Sequence, residues 1–215
     1  MKNFFDTVPP RTATAIADVS RRMYDLRELR KRLLDDAGCV EADDLLAAVR
    51  EGYLPEHPGY DAWLAVRLIG DREIALHDTL EWRCLVANGG KSLPPPRSGL
   101  AALAHAIRPS LPKPFVGGMR LHHDGIAFRG ETGIDVLARV LASGDFSIEW
   151  RWSGEAWRFD NAPVAHPDVD SAAHVHLPDG TVVASPIAFP ENGDAAAIVL
   201  AFLEALAKMP TLGLA

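Results

Sequence analysis

The densest run of side chains able to do chemistry lies between Arg158 and His176. It reads Arg158-Phe159-Asp160-Asn161-Ala162-Pro163, then His166, Asp168 and Asp170, then His174-Val175-His176. Imidazole, carboxylate and guanidinium groups move protons, bind metals and steady negative charge near neutral pH. In an extended strand alternate side chains share a face, so His174 and His176 stand side by side with Val175 directed away. Two kinds of site fit that spacing. In the first, the pair joins His166, Asp168 or Asp170 to offer three or four nitrogen and oxygen ligands to a metal. In the second, without metal, one histidine removes the 2′-hydroxyl proton of RNA, another protonates the leaving oxygen, and Arg158 steadies the phosphorane. A purely structural reading stands beside both, because Asp160-Asn161-Ala162-Pro163 is also a good turn sequence.

Strands must carry these residues. Phe146, Ile148, Trp150 and Trp152 alternate with polar neighbours, Ser153-Gly154 can turn the chain, and Trp157 and Phe159 resume the alternation. A two-residue turn pairs Trp152 with Glu155, Trp150 with Trp157, Glu149 with Arg158, Ile148 with Phe159 and Ser147 with Asp160. The aromatic face is expected in the core, and Arg158 opposite Glu149 is expected to form an ion pair. Short strands are expected at 173–177 and 181–185, and an apolar helix from about Asp194. Upstream, Met119, Leu121, Ile126 and Phe128 predict a hairpin with a tight turn at Asp124-Gly125, flanked by the exposed His122 and His123. Residues 132–143 are expected as a helix between Thr132 and Gly144.

The first half reads as helical. Ile16, Val19, Met23, Leu26, Leu29 and Leu33 recur at steps of three or four over 12–37, with Arg21, Arg22, Arg27, Arg30, Lys31 and Arg32 on other faces. Further helices are expected at 41–51, 58–69, 71–88 and 99–107. Tyr60, Trp63, Leu64, Leu68, Ile74, Leu80 and Leu85 are expected to pack them together. Glu41, Asp43 and Asp44 suit a helix start rather than catalysis. Prolines and glycines at 109–118 mark the change from helical period to period two, which divides the chain into a helical unit, 1–110, and an α+β unit, 111–215. The expected fold class is α+β, with a helical N-terminal half followed by an antiparallel sheet and two packing helices.

Composition bounds the function. With 48% hydrophobic and 24% charged residues the 215-residue chain can build a sizeable core. No apolar run reaches the about 18–20 residues of a membrane helix. Residues 1–7 do not resemble a secretory leader, and Cys39 and Cys84 are expected as reduced thiols, which suits a cytoplasmic location. The net charge is −7, of which residues 111–215 carry −6. An acidic surface repels nucleic acid, so any action on RNA needs a local site. Phosphate loops, nucleophile elbows and zinc-type cysteine pairs do not occur, and no cofactor is expected.

The order of aromatic strand, short hairpin, Trp157-Arg158-Phe159-Asp160-Asn161-Ala162-Pro163, His166-Pro167, His174-Val175-His176, strand and terminal helix resembles the TumE family of bacterial toxin-antitoxin toxins over about residues 119–207. The resemblance implies a small α+β domain whose site residues are Arg158, Asp160, Asn161, His166, His174 and His176. It also implies an RNA-directed toxin, with a metal-free ribonuclease as the leading enzymatic candidate and an antitoxin or toxin as protein partner. The helical half is then expected to act as a dimerisation or autoregulatory module, with a homodimer through the N-terminal helices. Two alternatives remain, a noncatalytic acidic binding protein such as an antitoxin or immunity factor, and a metal-dependent hydrolase.

Overall fold

The computed structural model describes residues 8–187 and 194–214; the leader reading at residues 1–7 therefore lies outside the described residues. Among the described residues five α-helices and seven strands follow in the order α1 (Pro10–Asp36), α2 (Ala42–Arg50), α3 (Glu56–Ala87), α4 (Gly99–Ile107), β1 (Arg120–Leu121), β2 (Ile126–Arg129), β3 (Asp135–Val140), β4 (Phe146–Trp152), β5 (Glu155–Asp160), β6 (His174–His176), β7 (Val182–Ala184) and α5 (Ala195–Lys208). The strands form one antiparallel meander in sequence order. The fold is α+β, with helices in the first half, a seven-stranded antiparallel sheet and a C-terminal helix.

The β4–β5 hairpin has the expected register at every pair, from Trp152↔Glu155 to Ser147↔Asp160. Its turn places Ser153 at φ 55° and Gly154 at φ 91°, the left-handed pair that a two-residue hairpin turn requires. β6 continues the rows, setting His176 opposite Arg158 and His174 opposite Asp160. One face of these strands is apolar. Trp150 stacks on Trp157, Phe159 stacks on Phe202 of α5, and Trp150 meets Phe202 edge to face. The buried Trp150 indole donates to the Pro210 carbonyl at 2.9 Å, so it pays no desolvation penalty for lying in this core.

Three expectations need correction. Residues 132–143 form no helix; their centre is β3, and Ile134 just before it and Val136, Ala138 and Val140 within it are buried at period two. The apolar set fits both periods, and the competition is decided by strand partners on each side, Phe128↔Val136 and Val136↔Trp150. The second helix packing on the apolar face is instead α4, through Leu100, Ala104 and Ile107. The segments 58–69 and 71–88 are one helix, α3, because a lone glycine, Gly70, weakens a helix by only about 1 kcal/mol and does not stop it. The first hairpin turns through the four residues His122 to Gly125, between Leu121 and Ile126, rather than tightly at Asp124-Gly125.

A second, smaller core holds Leu34, Leu45, Val49, Tyr60, Trp63, Leu64 and Ala162. Ala162 belongs to the loop after β5, so this core anchors the 158–176 segment against the helices. The two halves of α3 differ. Residues 59–69 bury nine side chains or backbone positions, whereas residues 70–87 bury none, leaving Ile74 and Leu85 exposed where packing was expected.

Candidate functional site

The second face of β4, β5 and β6 is polar. Its rows present Ser147, Asp160 and His174, then Glu149, Arg158 and His176. Polar rows of this kind ordinarily face water, but here the first turns of α3 lie on them. His57 is extended (φ −119°, ψ 132°), so Glu56 and His57 enter from a bent lead-in before the continuous helix, and Asp61 follows one turn later. Burying this many charges is tolerable only where each finds partners.

Four imidazoles aim their Nε2 atoms at two carboxylates. Glu56 Oε1 lies 3.1 Å from His174 Nε2, 3.3 Å from His166 Nε2 and 3.5 Å from His176 Nε2. Asp160 takes His174 Nε2 at 3.3 Å on Oδ1, and His57 Nε2 at 3.1 Å and His176 Nε2 at 3.5 Å on Oδ2. His57 Nε2 and His176 Nε2 are 3.4 Å apart. Asp160 and His174 form a floor, 0% and 1% exposed, while Glu56, His57, His166 and His176 form a rim with 12–18% of each side chain reaching solvent. The cluster is therefore closed to solvent at Asp160 and His174 and reached by solvent at Glu56, His57, His166 and His176.

Behind the rim, Asp61 Oδ2 sits 3.0 Å from His57 Nδ1. This contact places a ring proton on Nδ1, so Nε2 is the nitrogen that faces the hollow. Asp61 also accepts from Ser147 Oγ at 2.6 Å and pairs with Arg158 Nε at 3.3 Å and Arg139 Nη1 at 3.8 Å. These contacts set the electrostatics. Burial alone would push His174 down, but Asp160 and Glu56 outweigh it and raise the imidazole to about 9. Burial likewise opposes Glu56, yet His174 and His176 bring it down to about 2. Asp160 is depressed against its burial by His174 and His57, and Asp61 by His57 and Arg158. His57 is raised against its burial by Asp160 and Asp61.

Of the residues singled out from sequence, Asp160, His166, His174 and His176 meet in the hollow. Arg158 does not enter it: the guanidinium is held by Asp61 and by Glu149 Oε2 at 3.3 Å, the cross-strand pair expected from the register. Asn161 braces the turn before β4, accepting from Tyr60 Oη and the Phe146 amide and donating to the Gly144 carbonyl. Asp168 and Asp170 are exposed and outside the cluster, since the His166↔Val169 bridge turns the chain so that His166 points inward. Sequence reasoning missed Glu56, His57 and Asp61. The available signal was a Glu-His-Pro lead-in to a helix with a carboxylate four residues after the histidine. Compared with known proteins, the chain matches no family model, no curated protein and no solved structure.

Proposed function

We propose that the protein is a hydrolytic enzyme whose centre is the hollow between the start of α3 and the polar face of β5 and β6, with the RNA phosphodiester as the substrate class to which the TumE resemblance points. The observation that carries this reading is the convergence of four imidazoles and two carboxylates on one half-open, otherwise buried place. Unpaired burial of such groups is costly, so a fold with no use for them would be more stable with apolar side chains there. The rim histidines are accessible to a substrate. Arg158 supports the centre through Asp61 instead of touching the phosphorane.

The test uses purified full-length protein with a mixed-sequence RNA and with a simple aryl phosphodiester. Cleavage that falls by about 10²–10⁴-fold in His176→Ala supports the reading. It fails if RNA stays intact and expression of the wild type and of His176→Ala affects bacterial growth equally.

The acidic second half favours one alternative from another class, a binding protein that neutralises a basic partner such as a toxin. That reading expects tight retention of a basic protein by a His174/His176 double variant. The expected homodimer has its own support. Tyr24 on α1 and Ile74, Leu85 and Val86 on α3 are exposed large apolar side chains on one two-helix arm. Sedimentation of wild type and Ile74→Glu tests it, with a dimer-to-monomer shift expected.

A further inference from the structure

We propose that the hollow is the binding site for a single divalent first-row transition ion, held by Glu56 and His176 together with either His166 and His174 or His57 and Asp160. The inference rests on the placement of the hydrolytic centre just described and adds the ion that would activate its water.

Spacing is the first argument. Ligand atoms held about 2.0–2.1 Å from one ion lie about 3.3 Å apart at tetrahedral angles and about 2.9 Å apart at octahedral ones. The corresponding separations here are 3.1, 3.3, 3.4 and 3.5 Å. Two four-residue sets, Glu56/His166/His174/His176 and Glu56/His57/Asp160/His176, each keep all their ligand atoms within 4.8 Å of one another and share Glu56 and His176. His176 has one inward nitrogen, so it serves one ion, and the two sets are alternative ligand sets for that ion.

Hydrogen bonding is the second argument. The facing Nε2 atoms of His57 and His176 can share at most one proton, whereas a cation between them uses both lone pairs. Asp160 Oδ2 is fully buried near His57 and His176 without a well-aligned N–H from either, which leaves an acceptor aimed into the hollow.

The surroundings supply the third argument. Asp61, braced by Ser147, Arg158 and Arg139, orients His57 from its far nitrogen, the carboxylate–imidazole arrangement that fixes metal-binding histidines. Two or three imidazoles with one or two carboxylates select zinc and its first-row neighbours over magnesium or calcium, which prefer all-oxygen shells.

The full chain, stripped with a chelator and dialysed, is titrated with Zn2+ in competition with a chromophoric chelator, and with Co2+ followed by its visible absorption. One ion per chain and a raised melting temperature are expected. His166→Ala and His176→Ala, both on the rim and so least disruptive to folding, should weaken Zn2+ by more than the about 10–100-fold expected for the outer-shell change Asp61→Asn. Circular dichroism without metal verifies that each variant is folded. His77→Ala, in the exposed group His77/Asp78/Glu81 on α3, should change nothing. Failure of the wild type to bind stoichiometric Zn2+ or Co2+, or full retention of binding by a His166/His176 double variant, overturns the proposal. Cleavage of RNA in excess chelator would overturn the metal while leaving the hydrolase, and a bound ion without hydrolysis would do the reverse.

Discussion

The two faces of β4, β5 and β6 share one backbone ladder yet are held by opposite means. On one face Trp150, Trp157 and Phe159 meet Phe202, and stability comes from apolar area removed from water and from ring packing. On the other, Asp160, His174 and His176 meet Glu56, His57 and Asp61, and each charge stays buried because another faces it. Apolar packing degrades gradually with lost volume, whereas a polar network depends on every member, since a missing partner strands the one that remains. The apolar face therefore holds the fold, and under the proposed function the polar face accepts a stability cost in exchange for a reactive arrangement.

Breaking the apolar face should have the largest effect on stability. Phe202→Ala removes a fully buried ring and is expected to cost about 3–5 kcal/mol in urea unfolding. Zn2+ affinity of the remaining folded fraction should hardly change. Asp160→Asn inverts that pattern: loss of charged hydrogen bonds should cost about 1.5–3 kcal/mol, with Zn2+ affinity falling far more steeply than in Phe202→Ala. If both variants lose stability and metal affinity in the same proportion, the division of labour between the faces is wrong.

The pH dependence of the metal-free protein sharpens the comparison further. His174 rises from 6.5 to about 9, so its stabilising contribution is complete below pH 6.5 and disappears as pH climbs through 9. Glu56 falls from 4.5 to about 2, so its contribution is complete above pH 4.5 and disappears as pH drops toward 2. Thermal melts should be highest between these limits, and His174→Gln should flatten the alkaline limb. Phe202→Ala should lower the whole curve without changing its shape. The smallest effect is expected from Glu149→Gln, which loosens partly exposed pairs with Arg151 and Arg158 and should cost under about 1 kcal/mol in the same melts.

Local pattern determined much of this molecule. Alternation and the Ser153-Gly154 turn specify the β4–β5 register to the residue, and with it the Glu149–Arg158 pair and the shared face of His174 and His176. The three-and-four spacing over 12–37 specifies α1 because its partners lie on the same helix face. Segment 132–143 shows the limit of such reasoning, since its apolar residues satisfy both periods and only the neighbouring strands β2 and β4 select one. The hollow shows it more sharply. His174, His176 and Asp160 could be grouped from spacing, but Glu56, His57 and Asp61 lie about a hundred residues earlier in the chain, and nothing local relates them to β6. Their meeting depends on α3 crossing the polar side of the sheet, a consequence of Tyr60, Trp63 and Leu64 burying their surface with Ala162 in a common core. Spacing along the chain encodes which residues share a face; which faces meet is decided by the total apolar surface the whole chain can bury.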